Sequence, residues 1–317
     1  MKKTVRSIVL LAALSLAALA RAEESSAAQG ECQLRVATGM KGKIFSRLLR
    51  DIRSVCSSQL RLCEVESESG LQNAVALSAN AADLGFVQLD TLQDMKQSDE
   101  NVASLQAVMP VSANLLHILT LRAGFSVPGE RSLLTFFRRD DKTLVVTRVS
   151  ELKGLPVALV GSARLLGRTL DRSYGLGLRF VYVDSDEQAI AALKTGQVAA
   201  VFLMSGWPNG LVEGLTRDAQ IALAAFDLPV RAPYVLVHKN YPRLDAFMWP
   251  FLAVPNMLVT RPFNPDGTRG RHVLALQRCI ASHLEALREG AYEPGWKEIK
   301  NPDDMHGWPG FANVARR

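Results

Sequence analysis

Three short polar segments in the first third of the chain contain residue types that bind small polar molecules. Residues 38–43 include two glycines and two lysines, residues 67–73 include two serines and an asparagine, and residues 87–90 include an amide and a carboxylate. Each segment follows an apolar run and precedes a helical pattern, and the N–H groups at a helix start attract anions. The candidate ligand contacts in or just after these segments are Thr38, Gly39, Met40, Lys41, Gly42, Phe45, Ser67, Ser69, Asn73, Gln88 and Asp90.

Each segment also has a purely structural interpretation. Residues 38–43 could form only a tight strand-to-helix turn, and Ser69 or Asp90 could simply cap the next helix. The first segment is not a Walker loop, because no glycine stands five residues before Gly42 and Ile44 replaces the required Ser or Thr. No single segment therefore identifies a ligand.

A second group of candidates lies in the middle of the chain. Gly161 and Ser162 follow an apolar run and begin a helical pattern, with Arg164 in its first turn. Arg164 is the best candidate to pair with a ligand carboxylate, although it could also be an ordinary solvated arginine. Trp207, after Gly206, could lie over a ligand or pack in a core or hinge.

Hydrophobic periodicity predicts alternating strands and helices that could position these segments. In the first part of the chain, strands are expected at residues 34–37, 60–65, 84–87, 102–109 and 115–121, and helices at 42–55, 70–78 and 89–96. In the second part, strands are expected at 156–160, 179–183, 198–203 and 221–225, and helices at 162–174 and 185–196. Such alternation favours parallel sheets, whose strand ends share one edge where ligands bind.

The predicted fold class is α/β with two lobes, each a mostly parallel sheet flanked by helices. We expect the chain to leave the first lobe along residues 115–121 and to cross back near 229–233. Lobe 1 then comprises residues 23–118 and 232–317, and lobe 2 comprises residues 119–231. The remaining expectations are an irregular surface segment at 122–142, a long amphipathic helix at 269–289 and a tail at 292–317 that wraps a surface.

Residues 1–22 have the pattern of a cleaved export signal, with an uncleaved anchor as the alternative. Lysines and arginine precede an apolar run at 8–20, and Ala20-Arg21-Ala22 fits a cleavage site. Removing four basic residues from the chain's 37 leaves 33 against 31 acidic residues, so the net charge falls from +6 to +2. We therefore predict a periplasmic protein without a nucleic-acid partner.

Four cysteines in an oxidising compartment predict disulfides. Cys56 and Cys63 should be joined by a short loop, which favours Cys56–Cys63 together with Cys32–Cys279. Three pairings are possible, and buried free thiols remain an alternative. A zinc site is not expected, because no C-x-x-C or close Cys/His cluster occurs.

The sequence contains no convincing catalytic constellation and predicts no metal or cofactor. G-x-S-x-G, H-E-x-x-H and paired Cys/His arrangements are absent. His272 and His283 are eleven residues apart, which is roughly 16 Å along a helix and too far for one metal. His117 lies in an apolar run, where a buried and hydrogen-bonded histidine is expected.

The order and spacing of the polar segments resemble those of the TAXI branch of TRAP-transporter solute-binding proteins. That family typically has a Thr-Gly-Gly-rich loop leading to an aromatic pair, a Gly-Ser segment before an Asn, and a Val-Gln-Ser-Asp-like stretch. The matching residues are Thr38, Gly39, Gly42 and Phe45, then Ser69 and Asn73, then Val87, Gln88 and Asp90. Residues 157–162, 193–202, 241–242 and 254–259 resemble later family segments, so the resemblance spans residues 32–290.

The resemblance implies a type II periplasmic-binding-protein fold, no catalysis, and a membrane partner, the subunits of an ion-gradient-driven TRAP-type permease. The chain departs from the family pattern at several positions. Lys41 and Lys43 enter a usually neutral loop, Ile44 replaces an aromatic residue, Ala163-Arg164 replaces Gly-Thr, and Ala199 replaces an Asp. The added positive charge favours a small anionic organic solute, either an organic acid or an acidic amino acid.

Two other functions remain compatible with the sequence. A periplasmic sensory protein could use the same cleft to present its solute to a membrane receptor. An enzyme on this fold would need a nucleophile or an acid–base pair at the cleft.

Overall fold

The computed structural model describes residues 32–127, 142–215 and 220–311. The predicted export segment lies outside these residues. The first elements are β1 (Leu34–Gly39), α1 (Ile44–Cys56), β2 (Leu62–Glu66), α2 (Gly70–Ser78), β3 (Leu84–Gln88), α3 (Leu89–Met95), α4 (Glu100–Ala103) and β4 (Gln106–Leu121). Then come β5 (Phe125–Val127), β6 (Lys142–Leu144), β7 (Pro156–Val160), α5 (Ala163–Tyr174), β8 (Arg179–Val183), α6 (Asp186–Lys194), β9 (Ala200–Ser205), α7 (Gly210–Leu215) and β10 (Ile221–Leu223). The last are β11 (Val235–Tyr241), β12 (Ala246–Thr260), α8 (Thr268–Ser282) and α9 (Leu284–Glu289), and one-turn 3-10 helices occur at Val149–Leu152, Pro242–Leu244 and Pro294–Glu298.

One sheet runs through the described part of the molecule in the order β2-β1-β3-β12-β4-β9-β7-β8, with β10 beside β4 and β11 beside β12. β1, β2 and β3 are parallel to one another, as are β7, β8 and β9, whereas β4 and β12 are antiparallel to their neighbours. The order β2-β1-β3-β12-β4 is repeated as β8-β7-β9-β4-β10. Two α/β units of the same design therefore share one sheet, which confirms the predicted two-lobed fold class.

Two long strands connect the lobes. β4 has 16 residues and β12 has 15. The first part of β4 pairs with β12, and its last part pairs with β9 and β10. The sequence predicted two separate strands here, at 102–109 and 115–121. Instead, Asp99 caps α4 through its side chain, and β4 then continues through Pro110. We retain the predicted lobe boundaries, which fall in β4 and just before β11, as a proposal.

The two sides of the sheet are packed differently. On one side, α2, α3 and α4 of lobe 1 and α5 of lobe 2 contribute to a single apolar cluster that includes Leu77, Leu92 and Leu166. On the other side, α1 and α8 pack in a lobe 1 cluster, and α6 and α7 pack in a separate lobe 2 cluster. Apolar packing is therefore continuous between the lobes on the α3–α5 side and interrupted on the α1–α6 side.

The C-terminal part of the chain packs along lobe 1. The helix predicted at 269–289 is interrupted at His283, which separates α8 from α9. The indole N–H of Trp296 donates to Asp51, and that of Trp308 donates to the Leu105 carbonyl. Both indoles are buried, so the described part of the tail wraps a surface as predicted.

Two disulfides are present, but the pairing favoured by the sequence is wrong. Cys32 is bonded to Cys63 and Cys56 to Cys279, with Cα–Cα distances of 5.9 and 6.0 Å. β1 and β2 are parallel neighbours, which brings Cys32, two residues before β1, within reach of Cys63 in β2. Cys56 ends α1, which packs against the helix carrying Cys279. Free thiols are excluded for all four cysteines.

Candidate functional site

The loop edges of the two lobes meet on the α1–α6 side. A Cβ placed on Gly206 would lie only 3.1 Å from Cδ1 of Ile44, the first residue of α1. Lys43 interacts electrostatically with Asp186 and Glu187 at the start of α6. We call the region between these loops the interlobe crevice; by this definition residues 38–43 belong to it in lobe 1, and residues 161–162, 184–187 and 205–207 belong to it in lobe 2. The two loop edges therefore face each other, and a ligand clamp between them stays a prediction.

A buried polar cluster lies where the long strands cross between the lobes. The amide Nδ2 of Asn256 donates to Ser112 Oγ at 2.9 Å and to Asn114 Oδ1 at 3.1 Å. Asn256 is fully buried, and its Oδ1 has no hydrogen-bond partner within the described structure. Asn256 pairs in register with Gln88, which is also buried. An unpaired buried acceptor costs about 1–3 kcal/mol, so this cluster is a candidate contact for a ligand donor.

Sequence reasoning predicted Gln88 but missed Ser112, Asn114 and Asn256. The available signal was the presence of three small polar residues inside long apolar strand runs. Gly295 covers the cluster, because a Cβ at that position would lie 2.8 Å from Cβ of Ser112 and 3.7 Å from Ile44. The tail therefore also borders the crevice.

In the first polar segment some side chains are bonded within the protein and others are exposed to solvent. The Thr38 hydroxyl donates to Glu64 Oε1 at 2.7 Å, and the Phe45 ring stacks on Phe86 with centroids 5.5 Å apart. Gly39 and Gly42 have φ values of +90° and +75°, which strain other residues. The side chains of Met40 and Lys41 are exposed, and no side chain caps α1. The exposed side chains of Lys41 and Lys43 are therefore the candidate contacts for a solute in this segment.

The second segment is occupied by its own hydrogen bonds. The Ser67 hydroxyl donates to Asn73 Oδ1 at 2.6 Å, and Asn73 Nδ2 donates to the Phe86 carbonyl at 2.8 Å. Ser69 Oγ accepts from the backbone N–H of Gln72 at 3.3 Å. These bonds fix the loop against the end of β3, so the capping interpretation of Ser69 is confirmed.

Arg164 lies in the predicted place, but its guanidinium already has partners. Its Nη2 donates to the Val183 carbonyl at 2.8 Å and to Asp184 Oδ1 at 3.2 Å. The guanidinium also lies 5.7 Å from the Tyr182 ring centroid. Gly161 has a φ of +53°, and Ser162 makes no side-chain cap. A solute carboxylate would have to compete with Asp184 for Arg164.

Trp207 packs against lobe 2. Its indole N–H donates to the Asn240 carbonyl at 3.4 Å, and the ammonium of Lys239 lies 4.6 Å from its ring centroid. The ring joins the lobe 2 apolar cluster. These contacts agree with the packing interpretation of Trp207.

Asp90 does not join the other predicted residues. It is the second residue of α3, where its Oδ1 accepts from the Thr91 N–H at 2.8 Å and its Oδ2 accepts from the Tyr234 hydroxyl at 3.3 Å. Burial raises the pKa of the Asp90 carboxyl to about 6. Asp90 lies two residues after Gln88 in the chain, but its side chain lines a cavity with Tyr234 and residues of α5.

His117 is buried and hydrogen-bonded, as the sequence predicted. Its Nε2 lies 2.8 Å from the Tyr241 hydroxyl and its Nδ1 lies 3.1 Å from Ser205 Oγ. Burial lowers the pKa of the imidazole to about 4. Within the described ranges, no group of three or more His, Cys, Asp or Glu side chains could hold a metal ion, and no helix there is long and apolar enough to cross a membrane.

Comparison with known proteins gives neither a family model nor a curated relative that matches the chain. Similar solved structures include the GluR0 ligand-binding core from Nostoc punctiforme in complex with L-glutamate (15% identity, 80% of this chain, 93% of that chain, TM-score 0.46). An ancestral arginine-binding protein bound to arginine has 12% identity, coverages of 84% and 98% and a TM-score of 0.48. The periplasmic aliphatic sulphonate binding protein from Escherichia coli has 19% identity, coverages of 82% and 74% and a TM-score of 0.47. At these values they identify neither a family nor a ligand for this chain.

Proposed function

We propose that this protein is an exported solute-binding protein that holds a small molecule in the interlobe crevice and catalyses no reaction. The observation that carries the proposal is the approach of Ile44 to Gly206, which brings the loop edges of both lobes together. The strands β4 and β12 connect the lobes and would serve as the hinge. A solute that contacts both lobes stabilises the closed state through contacts that the open state lacks.

The proposed solute is a small organic anion, an organic acid or an acidic amino acid. Lys41 and Lys43 are exposed in the lobe 1 loop. The helices α1 and α5, one from each lobe, begin without a side-chain cap, whereas Ser69, Asp99 and Ser185 cap α2, α4 and α6. Uncapped N–H groups and lysines favour a carboxylate.

The proposed partner is an ion-gradient-driven permease of the TRAP type. Its support is the motif order of the sequence together with the predicted export signal. A membrane receptor is the alternative partner. The genes beside this one distinguish the two, since a permease pair supports transport and a histidine kinase supports sensing.

The test is binding of organic acids and amino acids, screened by thermal shift and then measured by calorimetry. Lys43→Gln should weaken binding of the best acid about tenfold, equivalent to about 1.4 kcal/mol. The matched control Lys153→Gln changes an exposed lysine outside the crevice and should bind like the wild type. Arg164→Gln should weaken binding less than Lys43→Gln, because Asp184 already holds the guanidinium.

Three results would contradict the proposal. The first is a panel in which no acid raises the melting temperature. The second is equal binding by the Lys43 and Lys153 variants. The third is conversion of the bound acid into a product detected by NMR, which would make the protein an enzyme.

A further inference from the structure

A cavity of about 200 Å³ separates α3 of lobe 1 from α5 of lobe 2, on the side with continuous packing. Residues 231–234 form its third wall. An engineered cavity of roughly 150 Å³ is large enough to bind benzene, so a small organic molecule fits in this one. None of the residues that line this cavity is among those that border the interlobe crevice.

The α3 wall of this cavity is entirely polar. It consists of Asp90, Gln93 and Asp94, which follow the i, i+3, i+4 spacing of one helix face, and Gln97 extends it in the turn after α3. A helix face directed at a neighbouring lobe is normally apolar. The polar face therefore needs a polar occupant.

Asp90 is the most deeply buried acid of this wall. Burial, opposed only in part by hydrogen bonds from Thr91 and Tyr234, holds its pKa at about 6. Tyr234 and Thr169 of α5 line the same cavity, so residues of both lobes surround this carboxyl. A cation placed beside this carboxylate would compensate its lost hydration.

The rest of the cavity suits an organic rather than a metal cation. Leu165, Leu170 and Pro233 supply apolar surface for a carbon skeleton. The Arg231 guanidinium is engaged over the Tyr174 ring, 5.1 Å from its centroid, at the exposed rim. The carboxylates of Asp90 and Asp94 lie one turn apart on α3.

We propose that this cavity is a second binding site, for a small organic ammonium compound whose –NH₃⁺ group donates to Asp90 and Asp94. The site holds a different class of ligand from the anionic solute of the crevice. Its occupant contacts α3, α5 and the segment that crosses back to lobe 1.

The test uses ethanolamine as the probe at pH 7.5 and ethylene glycol as the uncharged control of similar size, with binding measured by calorimetry. Ethanolamine should bind and ethylene glycol should not. Asp90→Asn should weaken ethanolamine binding at least about tenfold, equivalent to about 1.4 kcal/mol. The matched control Glu285→Gln removes an exposed carboxylate outside the cavity and should bind like the wild type.

Two further variants keep the test decisive. Thr169→Leu fills the cavity from α5 without altering a charge, and it should abolish binding even if the Asp90 variant folds poorly. Lys43→Gln should leave ethanolamine binding unchanged, which separates this site from the crevice. The proposal fails if ethanolamine and ethylene glycol behave alike, or if the Asp90 and Thr169 variants both bind as tightly as the wild type.

Discussion

Replacing Asp90 by Asn should change how the free energy of unfolding depends on pH. Burial raises the pKa of the native Asp90 carboxyl to about 6, from an ordinary value of 3.8. Between these values the native protein binds a proton that the unfolded chain does not. The contribution of Asp90 to the free energy of unfolding is therefore fully present below pH 3.8 and is lost as the pH rises through 6.

The magnitude follows from the same two values. At about 1.4 kcal/mol per pH unit, the whole effect is roughly 3 kcal/mol, of which about 2 kcal/mol separates pH 8 from pH 4.5. The stability of the wild type relative to Asp90→Asn should thus rise by about 2 kcal/mol on going from pH 8 to pH 4.5. All other titrating groups are common to both proteins, so the difference isolates Asp90.

The assay is urea unfolding followed by tryptophan fluorescence, in amine-free buffers from pH 4.5 to 8. The control variant Asp94→Asn removes an exposed carboxylate one turn along α3. Its stability should stay within about 0.5 kcal/mol of the wild type at each pH. A wild-type minus Asp90→Asn difference that is flat across this range would refute the assignment of Asp90 as a desolvated carboxyl.

Two further predictions concern buried groups. Burial lowers the pKa of His117 to about 4 from 6.5, so on acidification the unfolded chain binds a proton before the native protein does. The free energy of unfolding of the wild type therefore decreases as the pH falls below about 6.5. His117→Gln should lose roughly 3 kcal/mol less of this free energy than the wild type over the same acidification, measured by the same urea series. Replacing the Cys56–Cys279 pair by alanines opens a loop of 223 residues and should cost about 5 kcal/mol, against about 4 kcal/mol for the 31-residue Cys32–Cys63 loop. If calorimetric melting shows that removing Cys32–Cys63 lowers the stability more than removing Cys56–Cys279, the loop-length argument is contradicted.

Much of the architecture could be predicted from local patterns. The predicted helix at 70–78 and strands at 156–160 and 179–183 match the structure residue for residue. The start signals Ser69 and Ser185 do cap the helices that follow them. These features depend on neighbours within one turn, which a sequence displays directly.

Features that depend on distant segments could not be predicted in the same way. The disulfide pairing follows from β1 lying beside β2 and α1 beside α8, and neither neighbour relation is visible in cysteine spacing. Arg164 had the right position, but its partner Asp184 lies twenty residues away. Asn256 acquires its significance only from Ser112 and Asn114, more than 140 residues earlier.

The strands β4 and β12 have a mechanical consequence for the two sides of the sheet. They run through both lobes, so a rotation about them that narrows the α1–α6 side must widen the α3–α5 side. The central strands would then be the axis of a rotation that closes one side of the sheet as it opens the other. A ligand bound on one side would change the affinity of the other side for its own ligand without contacting it, and the effect would be equal in both directions.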